Sequence, residues 1–376
     1  MKLTKFFALA LAAIATFAFV GCGSDDEGTE APFRGTLFLV ADKESITKGE
    51  TVTFSVTDND GNDVTSRATI YDANMKKYTG GKFYAENTGR YEFFASLGTQ
   101  TSNYVKITVI AELPTLPADP QPSYTKFNHR ALVIDQTGIN CGWCPSAMDE
   151  LKDLEEDTDW NSHYCEVTCH AGGYATGDPA NSKAANSLNK FQSNLISGYP
   201  CILVNLYTRP VGSDGKGSYQ KSAIVKSLSQ YIKKDGADIG ISMAVTGDPN
   251  AVYCAASVKA AVSKEYKVTA WLLESNISSP KQQGGNKPYH FIYNNALRNM
   301  AHKYSESNVQ GESIGVLAEG ETKELAFELP ITSTKWAFEN MSVVVVVTAK
   351  DNNNRWEVVN SLCCPIDESR AFEYLE

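Results

Sequence analysis

The chain has 376 residues, of which 42% are aliphatic, aromatic or Cys and 21% are charged. This is the composition of a globular protein long enough for two or three domains, and it excludes collagen, coiled coil and disorder for the bulk of the chain. Lys and Arg number 34 against 44 Asp and Glu, a net charge of −10. The chain therefore lacks the basic character that nucleic-acid binding requires.

The N-terminus predicts export and lipidation. Lys2 and Lys5 precede a stretch, 6–20, that is almost entirely apolar and shorter than the ~20 residues that span a bilayer. These features are typical of a signal peptide, here 1–21. The stretch ends in Phe-Val-Gly-Cys, which resembles the bacterial lipobox with Cys22 as the lipidated first residue of the mature chain. An ordinary signal peptide that contains a Cys is the alternative.

A short acidic tether, residues 22–32, follows. Its Gly-Ser-Asp-Asp-Glu run resembles the signal that sends lipoproteins of Bacteroidota to the cell surface, and a solvated linker is the alternative. We therefore expect an outer membrane lipoprotein, held at the membrane through its lipid anchor, on either the cell surface or the periplasmic face.

Residues 33–110 predict an immunoglobulin-like β-sandwich, because short alternating runs are separated by turn clusters without helical periodicity. The runs lie at 36–40, 52–56, 68–71, 91–95 and 105–110. The sequence around Tyr91 resembles the tyrosine corner of such domains, which is a structural feature. Residues 58–63 are typical of a hairpin turn, with a calcium loop as the alternative. Four prolines within 111–123 then predict an extended linker.

Residues 124–236 switch to alternating strands and helices, which favours an α/β layer. Strands are predicted at 130–135, 163–170 and 201–206, and helices at 145–156, 181–196 and 219–233. Residues 237–376 are again strand-like and predict a second β-sandwich. A long polar insertion, 278–308, interrupts it.

The chemistry lies in the motif Cys141-Gly142-Trp143-Cys144-Pro145, between the first of these strands and the first helix. Two thiols three residues apart at a helix start can close a small-ring disulfide. The first thiol faces the helix N-terminal amides, whose positive end favours the thiolate. In a strand–CxxC–helix context the pattern indicates thiol–disulfide exchange, with Cys141 attacking and Cys144 resolving the mixed disulfide.

Three alternatives apply to this motif. A zinc site would need Cys165 and Cys169, which in one strand lie ~13 Å apart and cannot share an ion with bonds of ~2.3 Å, so no metal is expected. Haem attachment needs His after Cys144, where Pro145 stands, so no cofactor is expected. A purely structural disulfide stays open.

The chain resembles the thioredoxin-like proteins and, more closely, the 28 kDa outer membrane protein family of Bacteroidota, over about 125–365. The run 137–145 matches that family's Thr-Gly-x-x-Cys-x-x-Cys-Pro pattern, and Val358-Val359-Asn360 is a weaker match. Asn140 stands where thioredoxins usually carry Trp. Asp135 is the candidate for their buried acid.

The resemblance implies an α/β plus all-β fold, a thioredoxin-like central domain flanked by two immunoglobulin-like β-sandwiches. The implied function is thiol–disulfide exchange on exported protein thiols or disulfides, with a membrane redox donor as a further candidate partner. The competing hypothesis is a non-enzymatic cell-surface binding or adhesion lipoprotein with a structural CxxC disulfide. Accessibility discriminates between them, because an attacking Cys141 must be reachable.

Thioredoxin-like sites also place a cis-proline loop beside the CxxC. Pro200 directly precedes the strand that begins at Cys201, so the resemblance predicts a cis Tyr199–Pro200 bond next to the motif. The catalytic candidates are thus Cys141, Cys144 and Pro200. Their supporting residues would be Gly142, Trp143, Pro145 and Tyr199.

The remaining polar singletons carry structural predictions. Cys254 and Cys364 fall on the apolar faces of two strands in the last block, which makes them candidates for a structural disulfide, with free buried thiols as the alternative. The pairing of the other cysteines stays open; they are Cys165, Cys169, Cys201 and Cys363. His170, at the end of a strand, is expected to be a hydrogen-bonded structural residue.

Overall fold

A computed structural model describes residues 33–110, 112–211, 219–301 and 309–375. The chain divides into two compact units, Met1–Val109 and Ile110–Glu376. The predicted signal peptide, the lipidation site Cys22 and the acidic tether lie outside the described residues.

The first unit consists of short strands arranged in two sheets. Its strands are β1 (Phe38–Ala41), β2 (Ser45–Thr47), β3 (Thr51–Thr57), β4 (Thr69–Asp72), β5 (Lys77–Tyr78), β6 (Lys82–Tyr84), β7 (Gly89–Leu97), β8 (Gln100–Thr101) and β9 (Val105–Ile110). One sheet has the order β1-β3-β6 and the other β2-β9-β7-β4-β5, with β8 on β7. Alternate residues of β3 and β7, such as Phe54 and Phe93, face one shared core.

Two local features of this unit match their predicted roles. The Tyr91 hydroxyl donates to the Asn87 carbonyl at 2.8 Å, which ties the strand entry to the backbone four residues upstream, as in a tyrosine corner. The Asp58 carboxylate accepts from the backbone amides of Asp60 and Asn62, both at 2.9 Å, so residues 58–63 form a turn.

The second unit contains all three α-helices of the described residues. Its elements are β10 (Ala131–Thr137), α1 (Cys144–Glu155), β11 (Tyr164–His170), α2 (Lys183–Phe191), β12 (Cys201–Val204), α3 (Lys221–Tyr231), β13 (Ile239–Asp248), β14 (Ala251–Ala260), β15 (Lys264–Glu274), β16 (Ile277–Ser278), β17 (Ile292–Tyr293), β18 (Ala296–Met300), β19 (Glu312–Leu317), β20 (Thr322–Pro330), β21 (Met341–Lys350), β22 (Trp356–Pro365) and β23 (Ser369–Arg370).

The predicted fold class is wrong. The described chain is mostly β-sheet, and the strands expected to form a thioredoxin-like domain of their own belong to a larger sheet with the order β12-β10-β11-β18-β15-β21-β22, in which β19 also pairs with β15. The join is made at β11, where the backbone amide of Thr168 donates to Asn295 at 2.9 Å. No separate α/β domain stands between two sandwiches, because this mixed eight-stranded sheet runs through both blocks.

Each face of the large sheet is covered by a different layer. On the β10–β12 part, α1 and α3 pack on one face and α2 on the other, which is why β10 is buried along its whole length. On the β15–β21 part, the second sheet, β20-β14-β13-β23, supplies the other half of the core.

Asn360 on β22, the edge strand of the large sheet, is hydrogen-bonded to the segments that begin β10 and β13. This buried side chain on β22 accepts from the Arg130 amide at 2.9 Å and donates to the Ile239 carbonyl at 2.8 Å. Asn360 therefore connects the start of β10 with β22 and β13.

Candidate functional site

The Cys-Gly-Trp-Cys motif forms the turn between β10 and α1. Cys141 and Cys144 are joined in a disulfide with a Cα separation of 5.4 Å, as predicted. The Cys141 amide donates to the Gly138 carbonyl at 3.0 Å, and α1 begins at Cys144 with Pro145 in its first turn. The sequence positions both sulfurs at the helix start because the buried strand ends and the helix begins within a few residues of each other.

Exposure within the motif is sharply uneven. Trp143 is 72% exposed, whereas Cys141 is 2% exposed and Cys144 is fully buried. The side chain that the motif offers to solvent is the indole between the cysteines.

Residues 279–285, here called the cover loop, pack against the backbone around Cys141 and lie within the insertion predicted at 278–308. The Gln283 amide donates to the Ile139 carbonyl at 2.9 Å, and the Gln282 side-chain amide donates to the Cys141 carbonyl at 3.1 Å. Tyr293 donates to Gln282 at 2.8 Å and fixes that amide. The loop is thus bonded to the backbone two residues before the motif and at the motif's first residue.

Gly284 makes this close approach feasible. Its φ is +76°, and a Cβ built there would lie 2.2 Å from the Gly142 carbonyl oxygen. A side chain at this position would collide with the motif's backbone. The adjacent Gly284 and Gly285 are the feature of the sequence that could have indicated this contact, because paired glycines in a polar segment often mark a close approach between backbones.

The Tyr199–Pro200 peptide bond is cis, as predicted. It precedes β12, which pairs with β10 so that Cys201 lies opposite Gln136. The Tyr199 ring stacks on Tyr174 at a centroid distance of 5.1 Å. The Tyr174 carbonyl in turn accepts from the Asn140 amide at 2.9 Å, so Tyr199 is connected through Tyr174 to the residue that precedes the motif.

A buried histidine–carboxylate pair supports the same turn. His170 Nδ1 lies 2.8 Å from Asp178 Oδ2, which also accepts from the Ile139 amide at 2.8 Å. Burial favours a higher pKa for Asp178, but these hydrogen bonds outweigh it and lower the pKa of that carboxyl. His170 is therefore a hydrogen-bonded structural residue, as expected.

The predicted Cys254–Cys364 disulfide is wrong. Both residues are free and buried, and they pack in the same apolar core between the two sheets. Burial raises the pKa of Cys364 to about 11, so the thiol stays protonated and behaves as a small apolar side chain. The other four cysteines whose pairing was open, Cys165, Cys169, Cys201 and Cys363, form no disulfide either. Among the described residues, no group of three or more Cys, His, Asp and Glu is arranged to hold a metal.

Residues 189–363 match the family described as Outer membrane protein Omp28. The chain resembles the Omp28 family. The description of that family agrees with the outer-membrane location predicted from the sequence. The matched segment begins after the Cys141–Cys144 motif. None of the helices in the described residues has the length and apolarity to cross a membrane.

Two solved structures extend the comparison. HBP35 of Porphyromonas gingivalis aligns with a TM-score of 0.54 and 14% identity, over 67% of this chain and 79% of that chain, so the two share a fold. A domain of the outer membrane lipoprotein Omp28 from Porphyromonas gingivalis aligns over 35% of this chain and 89% of that chain, with 15% identity and a TM-score of 0.23. No curated protein matches the chain.

Proposed function

We propose that this chain is a non-enzymatic binding or adhesion lipoprotein of the outer membrane, in which the Cys141–Cys144 disulfide is structural. The observation that carries the proposal is the exposure of the motif: its indole is 72% exposed, while its first cysteine is 2% exposed. An exchange site needs the opposite arrangement, with the attacking sulfur accessible.

Thiol–disulfide exchange proceeds by direct attack of a thiolate on one sulfur, so access limits its rate. At this motif an incoming thiol first has to displace the cover loop. That motion breaks the hydrogen bonds from Gln282 and Gln283, each worth about 0.5–1.5 kcal/mol net. Exchange on exported proteins, the competing function, would require this opening in every turnover.

Exposed aromatic rings around the motif supply a binding surface instead. Trp143 sits on a four-residue disulfide ring, and Tyr174 is 47% exposed with its ring stacked on Tyr199. Rigid aromatic side chains pay little conformational entropy on binding and are enriched among the residues that dominate interfaces. The partner class that fits is a protein with an apolar pocket for the indole; nucleic acid does not fit a chain of net charge −10.

The first experiment measures the redox equilibrium of the motif in the full mature chain. A structural disulfide has a reduction potential below about −300 mV. We expect a value in that range, and no faster insulin reduction than with the double variant Cys141→Ser, Cys144→Ser. A potential between about −270 and −120 mV together with catalysed insulin reduction would overturn the proposal in favour of exchange.

The second experiment measures binding of the mature chain to immobilised envelope and extracellular-matrix proteins. Trp143→Ala is compared with Tyr84→Ala, which removes a 58% exposed ring from the other unit. An aromatic anchor worth about 2 kcal/mol predicts a roughly thirtyfold loss of affinity with the first variant and none with the second. Binding that is absent, or equal for both variants, would contradict the role of Trp143.

A further inference from the structure

A cavity of about 130 Å³ lies between α1 and the β10–β11 face of the large sheet, separate from the exposed Trp143. Its apolar wall comes from Met148, Leu151 and Ile292. Its opposite wall carries two carboxyls, Asp135 and Glu166. A space of this size holds about four waters or one ligand of roughly six non-hydrogen atoms.

The two carboxyls converge because of strand register. In the parallel pair β10–β11, Val133 lies beside Glu166 and Asp135 beside Thr168, so Asp135 and Glu166 are diagonal neighbours on the same face. Asp135 is 1% exposed, and within the described residues its Oδ1 has no hydrogen-bond partner. A buried, unpartnered carboxyl oxygen in a cavity wall is costly unless something in the cavity pairs with it.

The two basic side chains that line the cavity each have an acidic partner. The Lys152 ammonium lies 2.9 Å from the Glu156 carboxylate, and His170 Nδ1 lies 2.8 Å from Asp178 Oδ2. Thr168 donates its hydroxyl to the Asn294 carbonyl at 2.7 Å.

Titration of the site follows from its surroundings. Burial raises the pKa of Asp135 to about 7; burial, and then the charges of Asp135 and Glu155, raise the pKa of Glu166 to about 8. The other titratable groups that face the cavity are His170 on β11, Lys152 and Glu155 on α1, and Tyr289 and Tyr293. Near neutral pH the carboxyls hold protons that an entering cation would displace.

We propose that this cavity binds a small organic cation, a primary ammonium group on a short hydrocarbon chain. The ammonium lies between Asp135 and Glu166, and the hydrocarbon chain packs against Met148, Leu151 and Ile292. On binding, the carboxylic acids release a proton to solvent and the carboxylate accepts hydrogen bonds from the ammonium. The inference is independent of the proposed binding function of Trp143.

Calorimetric titration of the full mature chain with n-butylammonium chloride tests the proposal. Uncharged 1-butanol serves as the size-matched ligand. The variants are Asp135→Asn and Glu166→Gln, with Asp153→Asn as the matched control, because Asp153 is exposed on α1 and does not line the cavity. Circular dichroism verifies that each variant is folded.

We expect saturable binding of n-butylammonium, weakened tenfold or more by Asp135→Asn and by Glu166→Gln and unchanged by Asp153→Asn. Affinity should rise with pH between 6 and 8, with roughly one proton released at neutral pH when buffers of different ionisation enthalpy are compared. The absence of saturable binding, equal binding of 1-butanol, or binding that survives both cavity variants would overturn the proposal. Should Asp135→Asn fail to fold, the outcome rests on Glu166→Gln.

Discussion

Gly284 offers a direct perturbation of the cover loop. A methyl group in place of its hydrogen would lie 2.2 Å from the Gly142 carbonyl oxygen, against 3.4–4 Å for ordinary contact. The atom struck belongs to the backbone and cannot rotate away. Gly284→Ala therefore forces the loop and the motif apart by more than 1 Å, which lengthens the hydrogen bonds at Ile139 and Cys141.

Gly284→Ala destabilises only the closed state, in which the cover loop packs against the motif, and so raises the population of the open state. An alanine in the left-handed region costs roughly 1–2 kcal/mol, and losing one net hydrogen bond costs about 0.5–1.5 kcal/mol more. Both costs apply only while the loop is closed, so they favour the open state. A shift of about 2 kcal/mol raises the open population roughly thirtyfold. When opening is fast compared with attack, the rate of disulfide reduction rises by the same factor.

The assay follows reduction of the Cys141–Cys144 disulfide by a phosphine, with timed alkylation and mass measurement of the intact chain. Gly315→Ala is the matched control, because Gly315 has a φ of +87° with nothing within 4 Å of its built Cβ. We expect the control to match the wild type and Gly284→Ala to react roughly thirtyfold faster. Equal rates for both variants would refute the argument that the cover loop limits access to the sulfur.

Three further predictions concern stability, measured by urea unfolding. The double variant Cys141→Ser, Cys144→Ser should lose about 2 kcal/mol, the chain-entropy value for so short a ring; no loss would contradict a structural role. Lys259→Met should lose roughly 3 kcal/mol, because the buried ammonium is bonded to four oxygens, and exposed Lys335→Met should lose none. Burial raises the pKa of Asp135 from 3.8 in the unfolded chain to about 7 in the folded protein, so between these values the folded state binds more protons. The contribution of Asp135 to the free energy of unfolding therefore falls as the pH rises from 4 to 7. Asp135→Asn should remove that slope, and a slope of the opposite sign would exclude this origin.

Local features of this protein were predictable because they depend on neighbours in the chain. The apolar run that forms β10, the cysteine spacing at the start of α1 and the turn at 58–63 all need only a few consecutive residues to specify them. The cis bond before Pro200 is implied by the resemblance, and it is present in the structure.

The prediction of the fold class was wrong because the sequence does not show which strand pairs with the free edge of β11. The polar composition of residues 278–308 predicts an insertion, yet Ala296–Met300 within them forms β18 and joins two blocks into one sheet. Strand pairing over more than a hundred residues leaves no periodic signal in either segment. The Cys254–Cys364 prediction failed similarly, since inward-facing thiols can share a core without forming a bond.

The sequence by itself determined the position of the CxxC motif at a helix start and the strands β10, β11 and β12. Only the tertiary structure decided whether the sulfur is reachable, because the residues that cover Cys141 lie about 140 positions away along the chain. It also decided that Asp135 faces a cavity without a partner, since burial comes from the packing of α1 and the 289–295 segment against β10 and β11. Residue type and local spacing specify which groups a site contains, whereas long-range packing decides which of those groups solvent and ligands can reach.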